Sequence, residues 1–212
     1  DAQIAPAARG GWSGHAQITS ASGGIETQPR MDRPLLGYSG LDARITLAGE
    51  RVQASLHAAL SAGGTVQANV VTGVSHAASL QGDLALDLRD ITWLELFSTD
   101  LAAPKGRFVG HLAFGGTLAQ PTISGHLQLS DFQAELPALG ITLRDGRVGI
   151  DAAADGTANI DGVLRSGDGS LRIGGGGRWN DLDAPLTVTL KGDTVRIADT
   201  PELQVIASPD LR

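Results

Sequence analysis

Apolar residues in this chain recur at every second position, and the pattern restarts about a dozen times. Leu80, Gly82, Leu84, Leu86 and Leu88 fall on one phase, and Gln81, Asp83, Asp87 and Arg89 on the other. The same phasing runs through Phe108, Gly110, Leu112 and Phe114, through Ile123, Gly125, Leu127 and Leu129, and through Leu186, Val188 and Leu190. Successive side chains of an extended strand leave opposite faces, so each run makes one apolar face and one polar face. A chain built this way is all-β, and its function turns on what the apolar face meets.

The alternation predicts strands over 12–18, 41–47, 52–60, 66–72, 78–89, 107–114, 122–129, 132–136, 141–151, 158–165, 170–175, 185–190, 195–198 and 203–207. The alternation weakens from Val148 to Ile150, and the polar, Gly- and Pro-bearing stretch from Thr19 to Pro34 reads as a loose connection. Tight links such as Ala48-Gly49-Glu50 and Ser61-Ala62-Gly63-Gly64 imply antiparallel hairpins. One segment breaks the series. Ile91, Leu94 and Phe97 lie at helical spacing behind Asp90, a suitable N-cap, so a short helix is expected near residues 90–97, ended by Pro104 and Gly106. No linker divides the chain. It opens at Asp1 without an initiator Met, and residues 1–212 read as a single β fragment of a longer polypeptide.

Strands at ~4.8 Å spacing make such a sheet ~55–60 Å wide. Open sheets beyond ~10 strands curl, split into a sandwich or close into a barrel. A sandwich needs bulky inward side chains to fill its gap, but here Gly82, Gly110, Gly125 and Gly162 interrupt the inward phase. A membrane barrel needs aromatic girdles, and aromatic residues are 4% of the chain. A curled antiparallel sheet with an apolar concave groove fits best. The groove-lining candidates are Leu84, Leu86, Leu88, Phe108, Leu112, Phe114, Ile123, Leu127, Leu129, Ile160, Leu164, Leu171, Ile173, Leu186, Val188 and Leu190, with Ile91, Leu94 and Phe97 as a plug across or at one end. Alkyl chains are the natural occupants. A ~16-carbon chain gains on the order of 12 kcal/mol against water, and little against a bilayer, as a conduit requires.

The charge is −7, and no basic run is visible in the sequence, which argues against nucleic acid and against docking flat on anionic headgroups. Cysteine is absent, and no apolar run approaches the ~18 residues of a membrane span. Gly174–Gly177 lacks the following helix and the Lys-Ser/Thr pair of a phosphate loop, so it reads as a bulge or turn between strands. Gly73-Val74-Ser75-His76-Ala77 has strand flanks and not the strand-to-helix turn of a nucleophile elbow. His15, His57, His76, His111 and His126 show no ligand spacing, and Asp181 and Asp183 read as a solvated turn. Trp12, Trp93 and Trp179 are too dispersed for a stacking platform. No catalytic residue, metal site or cofactor is expected, and the protein reads as a non-enzyme.

Phe114-Gly115-Gly116-Thr117-Leu118-Ala119-Gln120-Pro121 followed by Ser124-Gly125-His126-Leu127-Gln128-Leu129-Ser130-Asp131 resembles the G-T-L-x-x-P-x-x-x-G-x-L-x-L-x-D/N-G rhythm of the TamB family. Residues 137–145 and 166–174 carry similar pieces, and the resemblance, densest from Leu80 to Gly175, suggests the family's C-terminal region. It implies membership of the AsmA-like, bridge-like lipid transfer group. It further implies a β-taco in the periplasm of a Gram-negative bacterium and an inner-membrane anchor in the full-length protein. The partners it implies are phospholipid acyl chains and the outer-membrane barrel TamA. The implied role is phospholipid movement between inner and outer membrane and support of outer-membrane protein assembly and secretion. A second reading is a chaperone that offers a sheet edge to client β-strands of outer-membrane proteins or autotransporters.

Overall fold

A computed structural model describes residues 1–6, 12–25, 36–98, 100–181 and 183–212. In chain order the elements are β1 (Ala2–Pro6), β2 (Trp12–Ser20), β3 (Gly23–Ile25), β4 (Leu36–Gly49), β5 (Arg51–Leu60), β6 (Gly64–Gly73) and β7 (Gln81–Leu88). A 3-10 helix (Thr92–Leu96) precedes β8 (Ala102–Gly116) and β9 (Pro121–Leu136), and a second (Pro137–Leu139) precedes β10 (Ile141–Ala152). Then come β11 (Thr157–Ser166), β12 (Gly169–Arg178), β13 (Thr187–Asp193), β14 (Val195–Thr200), β15 (Leu203–Ala207) and β16 (Asp210–Leu211).

Fourteen strands form one sheet in the order β1-β2-β4-β5-β6-β7-β8-β9-β10-β11-β12-β13-β16, with β3 paired on β4. The path has two ends, so the sheet is not closed into a barrel, and its resolved registers are antiparallel. The expected all-β antiparallel fold is the one that forms. The β14–β15 hairpin stands apart as a two-stranded sheet. β1, β3 and β16 were not anticipated; β3 falls in the stretch read as loose, the rest of which, 26–34, lies outside the described residues.

The chain divides into two compact units. Unit 1 comprises 1–88, 110–125 and 153–155; unit 2 comprises 89–109, 126–152 and 156–212.

In unit 1 the registers stack like residues into rows. Ile18, Ala43, Leu56, Ala68 and Leu84 stand opposite one another across five strands, and so do Ala16, Ile45, Ala54, Val70 and Gly82. The alternate rows are polar: Gln17, Arg44, Ser55, Asn69 and Asp83, then Thr19, Asp42, His57 and Gln67, with Ala85 at the β7 end. A slip of one residue in any strand would exchange the faces, so the five strands fix one another's register. The β4–β5 turn works because Gly49 adopts φ 64°, a left-handed conformation that side chains resist. The Gly73–Ala77 segment ends β6 at Gly73 and runs on into the loop before β7, between strand flanks.

In unit 2 two phase slips keep the apolar residues on one side. In β9, Leu127 and Leu129 alternate until Asp131, at φ 53°, after which Phe132 and Ala134 take the covered positions. In β10, Asp145 at φ 52° sits in a register shift between Arg144 and Arg147, so that Ile141 and Leu143 give way to Val148 and Ile150. β9 is therefore one strand through Leu136, where alternation alone suggested two. The glycine run is likewise neither bulge nor turn. Gly174–Gly177 lies inside β12, in continuous register with β11. Side chains there would collide, since a Cβ on Gly175 would stand 2.6 Å from Thr187 O and one on Gly174 2.9 Å from Thr189 Oγ1.

The interruption after β7 is a 3-10 turn and not an α-helix. Ile91 occupies the N-cap position, while Asp90 Oδ1 accepts bonds from Thr92 N at 2.8 Å and Thr92 Oγ1 at 2.6 Å.

Candidate functional site

The candidate surface is the apolar face of each unit. In unit 1, Leu84 and Leu86 stand opposite Ala68 and Val66, and Leu88 stands opposite Gly64. Leu84 and Leu86 are half-buried and Leu88 is buried. The same face continues through Leu56 and Ala54 to Ile45 and Ile18, and Ile18 is 65% exposed. Sequence reasoning built its list from Leu84 onward and left out these residues of β2, β4, β5 and β6, although the alternation that reveals them is equally regular. Phe114, Leu112 and Ile123 belong to unit 1, half-buried at alternate positions of β8 and in β9. Thr72, on the Leu47–Val52 row, has its Oγ1 buried without a hydrogen-bond partner among the described residues.

In unit 2, Leu164 stands opposite Leu171, Ile173 opposite Leu190, and Ile160 between Ile150 and Gly175, whose other neighbour is Val188. These six candidates share a face. Val148 and Ile150 join it from β10, across the phase slip that made them hard to place. Leu127 and Leu129 are half-buried in β9. Leu186, expected in a strand, precedes β13 and is exposed.

The plug candidates separate. Ile91 is 1% exposed, and its Cδ1 lies 3.1 Å from where a Cβ on Gly106 would stand. Gly106, at φ 151°, is the residue type that lets the turn come this close to β8. Leu94 is half-buried, but Phe97 is 78% exposed and touches only the edge of Trp93, at 5.9 Å between centroids, in the ring contacts of the described residues. Trp93 is the contact that helical spacing missed. Its ring lies edge-on to Phe108 at 6.5 Å, and its Nε1 is buried without a partner among the described residues. Ile91 and Phe97 are the N-cap and C-cap residues of a helix only five residues long, so they lie outside its turns and helical spacing does not set the side they face.

The β14–β15 hairpin covers one end of the same face in unit 2. Ser166, 1% exposed and two positions from Leu164, donates from Oγ to Arg196 O at 2.5 Å. A Cβ on Gly192, which stands opposite Leu171, would lie 2.7 Å from Val195 Cγ2. Val195 and Ala198 are buried beneath the hairpin. Ser166→Ala leaves the Arg196 carbonyl without its donor in a dry contact, at a cost of about 1–3 kcal/mol. Hydrogen exchange should therefore speed up in β14 and β15 before it does in β11; equal protection in the variant would show that the hairpin is held by something else.

No group of three or more His, Cys, Asp and Glu that could hold a metal occurs among the described residues. His126 Nδ1 lies 2.7 Å from Asp151 Oδ1, an exposed surface pair. Asp181 Oδ1 accepts from Asp183 N at 3.1 Å, forming the local turn that this pair suggested. No helix of the described residues is long and apolar enough to cross a membrane.

These features define an all-β protein whose sheet presents half-open, alkyl-lined faces. Residues 1–129 match the family profile of the TamB N-terminal domain, and the chain belongs to the TamB family. The family resemblance is thereby upheld, and the part matched is the N-terminal domain, where the motif rhythm had suggested the C-terminal region. The translocation and assembly module subunit TamB of Haemophilus influenzae is 22% identical over 104 residues, 49% of this chain and 8% of that protein. The chain thus spans a small fraction of the relative's length. No solved structure matches.

Proposed function

We propose that residues 1–212 are one β-taco segment of a periplasmic, inner-membrane-anchored protein, and that its apolar faces carry phospholipid acyl chains between the inner and outer membranes. The role is that of a TamB-like component of a translocation and assembly module, working with the barrel partner TamA. The observation that carries this reading is the row structure: Ile18, Ala43, Leu56, Ala68 and Leu84 form a continuous alkyl stripe that crosses five strands and is half-open to solvent. A packed core would close over such a stripe, whereas a stripe left open suits a ligand that is itself hydrocarbon. The protein is not assigned a catalytic role, a metal or a cofactor.

Native mass spectrometry of the purified 212-residue chain, expressed in a Gram-negative host, tests the reading. Phospholipid adducts that survive detergent-free purification are expected. A lipid-free chain would overturn it, and client binding abolished by proline substitution in the edge strand β1, with the apolar rows tolerant of change, would point to strand-edge chaperoning instead.

A further inference from the structure

The polar face of unit 2 gathers cations that chain order scatters. Arg144 stands directly opposite Arg165 across β10 and β11. In the next row Arg147, Val163, Arg172 and Lys191 stand opposite one another in turn across β10, β11, β12 and β13. Arg165 and Val163 are two positions apart on one strand, so the two rows share a face, the one turned away from Leu164 and Ile173. All five cations are exposed, and they are drawn from only 16 Lys and Arg in a chain of charge −7. At ~4.8 Å between strands the longer row spans ~14 Å.

Little within the protein answers these charges. Lys191 Nζ lies 3.7 Å from Asp210 Oδ2, and Arg144 Nη2 donates to Gly167 O at 2.9 Å. Among the described residues the side chains of Arg147, Arg165 and Arg172 make no hydrogen bond or ion pair. Asp161 lies one row beyond Val163, Asp193 stands opposite Ser170 next to Arg165, and Asp145 is exposed in the β10 slip; none of the three is paired with a guanidinium. Like charges directly opposite on antiparallel strands are destabilising, and two such pairs occur here, Arg144 with Arg165 and Arg172 with Lys191. A sheet that keeps both has a use for the charge that its own stability does not explain.

We propose that this face docks a carboxylate-bearing surface of a partner protein, with Arg147, Arg165 and Arg172 as anchors around Val163. Four of the five cations are arginines, whose forked donors match single carboxylates. Val163, 38% exposed between Arg147 and Arg172, supplies an apolar centre of the kind protein interfaces bury. The interspersed Asp161 and Asp193, and the charge of −7, suit a partner with charges at fixed places better than the smeared negative charge of a bilayer. A lipid held against Leu164 and Ile173 lies on the other side of the sheet and cannot present its headgroup here.

The test is fluorescence anisotropy of a labelled oligoglutamate peptide with the 212-residue chain at low and physiological salt, beside flotation with phosphatidylglycerol vesicles. Binding of the peptide is expected, weakened about tenfold or more by the double substitution Arg165→Gln with Arg172→Gln. Tm should hold or rise in that variant, since it removes both like-charge pairs. Arg51→Gln on β5 should leave the peptide affinity unchanged. Equal weakening by Arg51→Gln, no effect of the double variant, a fall in its Tm, or binding to vesicles without binding to peptide would each overturn the proposal.

Discussion

Leu84→Asp is expected to abolish lipid carriage while leaving the chain folded. Leu84 lies in the middle of the apolar face of unit 1, opposite Ala68 and in line with Leu56. It is half-buried, so a carboxylate there can reach water in the empty protein, and the fold loses only part of a leucine's burial, about 1–2 kcal/mol. With an alkyl chain in place the same carboxylate is cut off from water, at several kcal/mol. Each 1.36 kcal/mol is tenfold in occupancy, so photo-crosslinking of labelled phospholipid from a probe at Val70 should fall by about tenfold or more. Ser55→Asp, one residue from Leu56 but in the polar row with Asn69 and Asp83, should leave crosslinking unchanged. Normal crosslinking beside the new charge would defeat the carrier reading. Complete unfolding of Leu84→Asp would mean that the face is a closed core.

The two faces were legible because they depend on nothing but alternation. Val52, Ala54, Leu56 and Ala58 declare a strand and its covered side in a single line of sequence, and antiparallel pairing through short turns then carries the phase from strand to strand. What breaks alternation was misread. A one-residue slip at Asp131 preserves the covered side in space while reversing its parity in sequence, so Leu129 and Phe132 looked like the ends of two strands. The slip at Asp145 blurred Val148 and Ile150 in the same way. Glycine misled in the opposite direction: a run that usually signals a turn proved to be strand, because Thr187 and Thr189 crowd it from β13. The cationic face of unit 2 was invisible for another reason. Arg144, Arg165, Arg172 and Lys191 are far apart in the chain and meet only through three registers, so no window of sequence contains the patch. The acidic total then argued in general terms against a surface that exists locally. Charges separated by more than a Debye length, ~8 Å at physiological salt, are largely screened from one another, so the composition of the whole chain says little about one face of four strands.

Ile91 carries the second large effect, and it separates a structural role from a gating one. Ile91, at the N-cap of the 3-10 helix, is among the largest fully buried side chains of the described residues, and it lies over Gly106 where β8 approaches Ser130 and Phe132 of β9. Ile91→Ala leaves a cavity that a turn pinned by the Asp90–Thr92 bonds cannot collapse into, so the loss should be about 2–5 kcal/mol, among the larger values a single substitution produces. At ~2–4 °C per kcal/mol for a chain of this size, Tm should fall by roughly 5–15 °C. Phe97→Ala removes a ring that is 78% exposed and should shift Tm by less than about 2 °C. The contrast matters because the two residues look equivalent in the sequence, at the two ends of one apolar stripe six positions apart. If the segment acts as a plug, the exposed end is the part that a lipid displaces, and Phe97→Ala should change lipid occupancy while Ile91→Ala changes stability. Equal melting losses from the two substitutions would show that both are core. A Phe97→Ala variant with wild-type stability and wild-type lipid occupancy would leave Ile91 as an anchor for β8 and remove the plug.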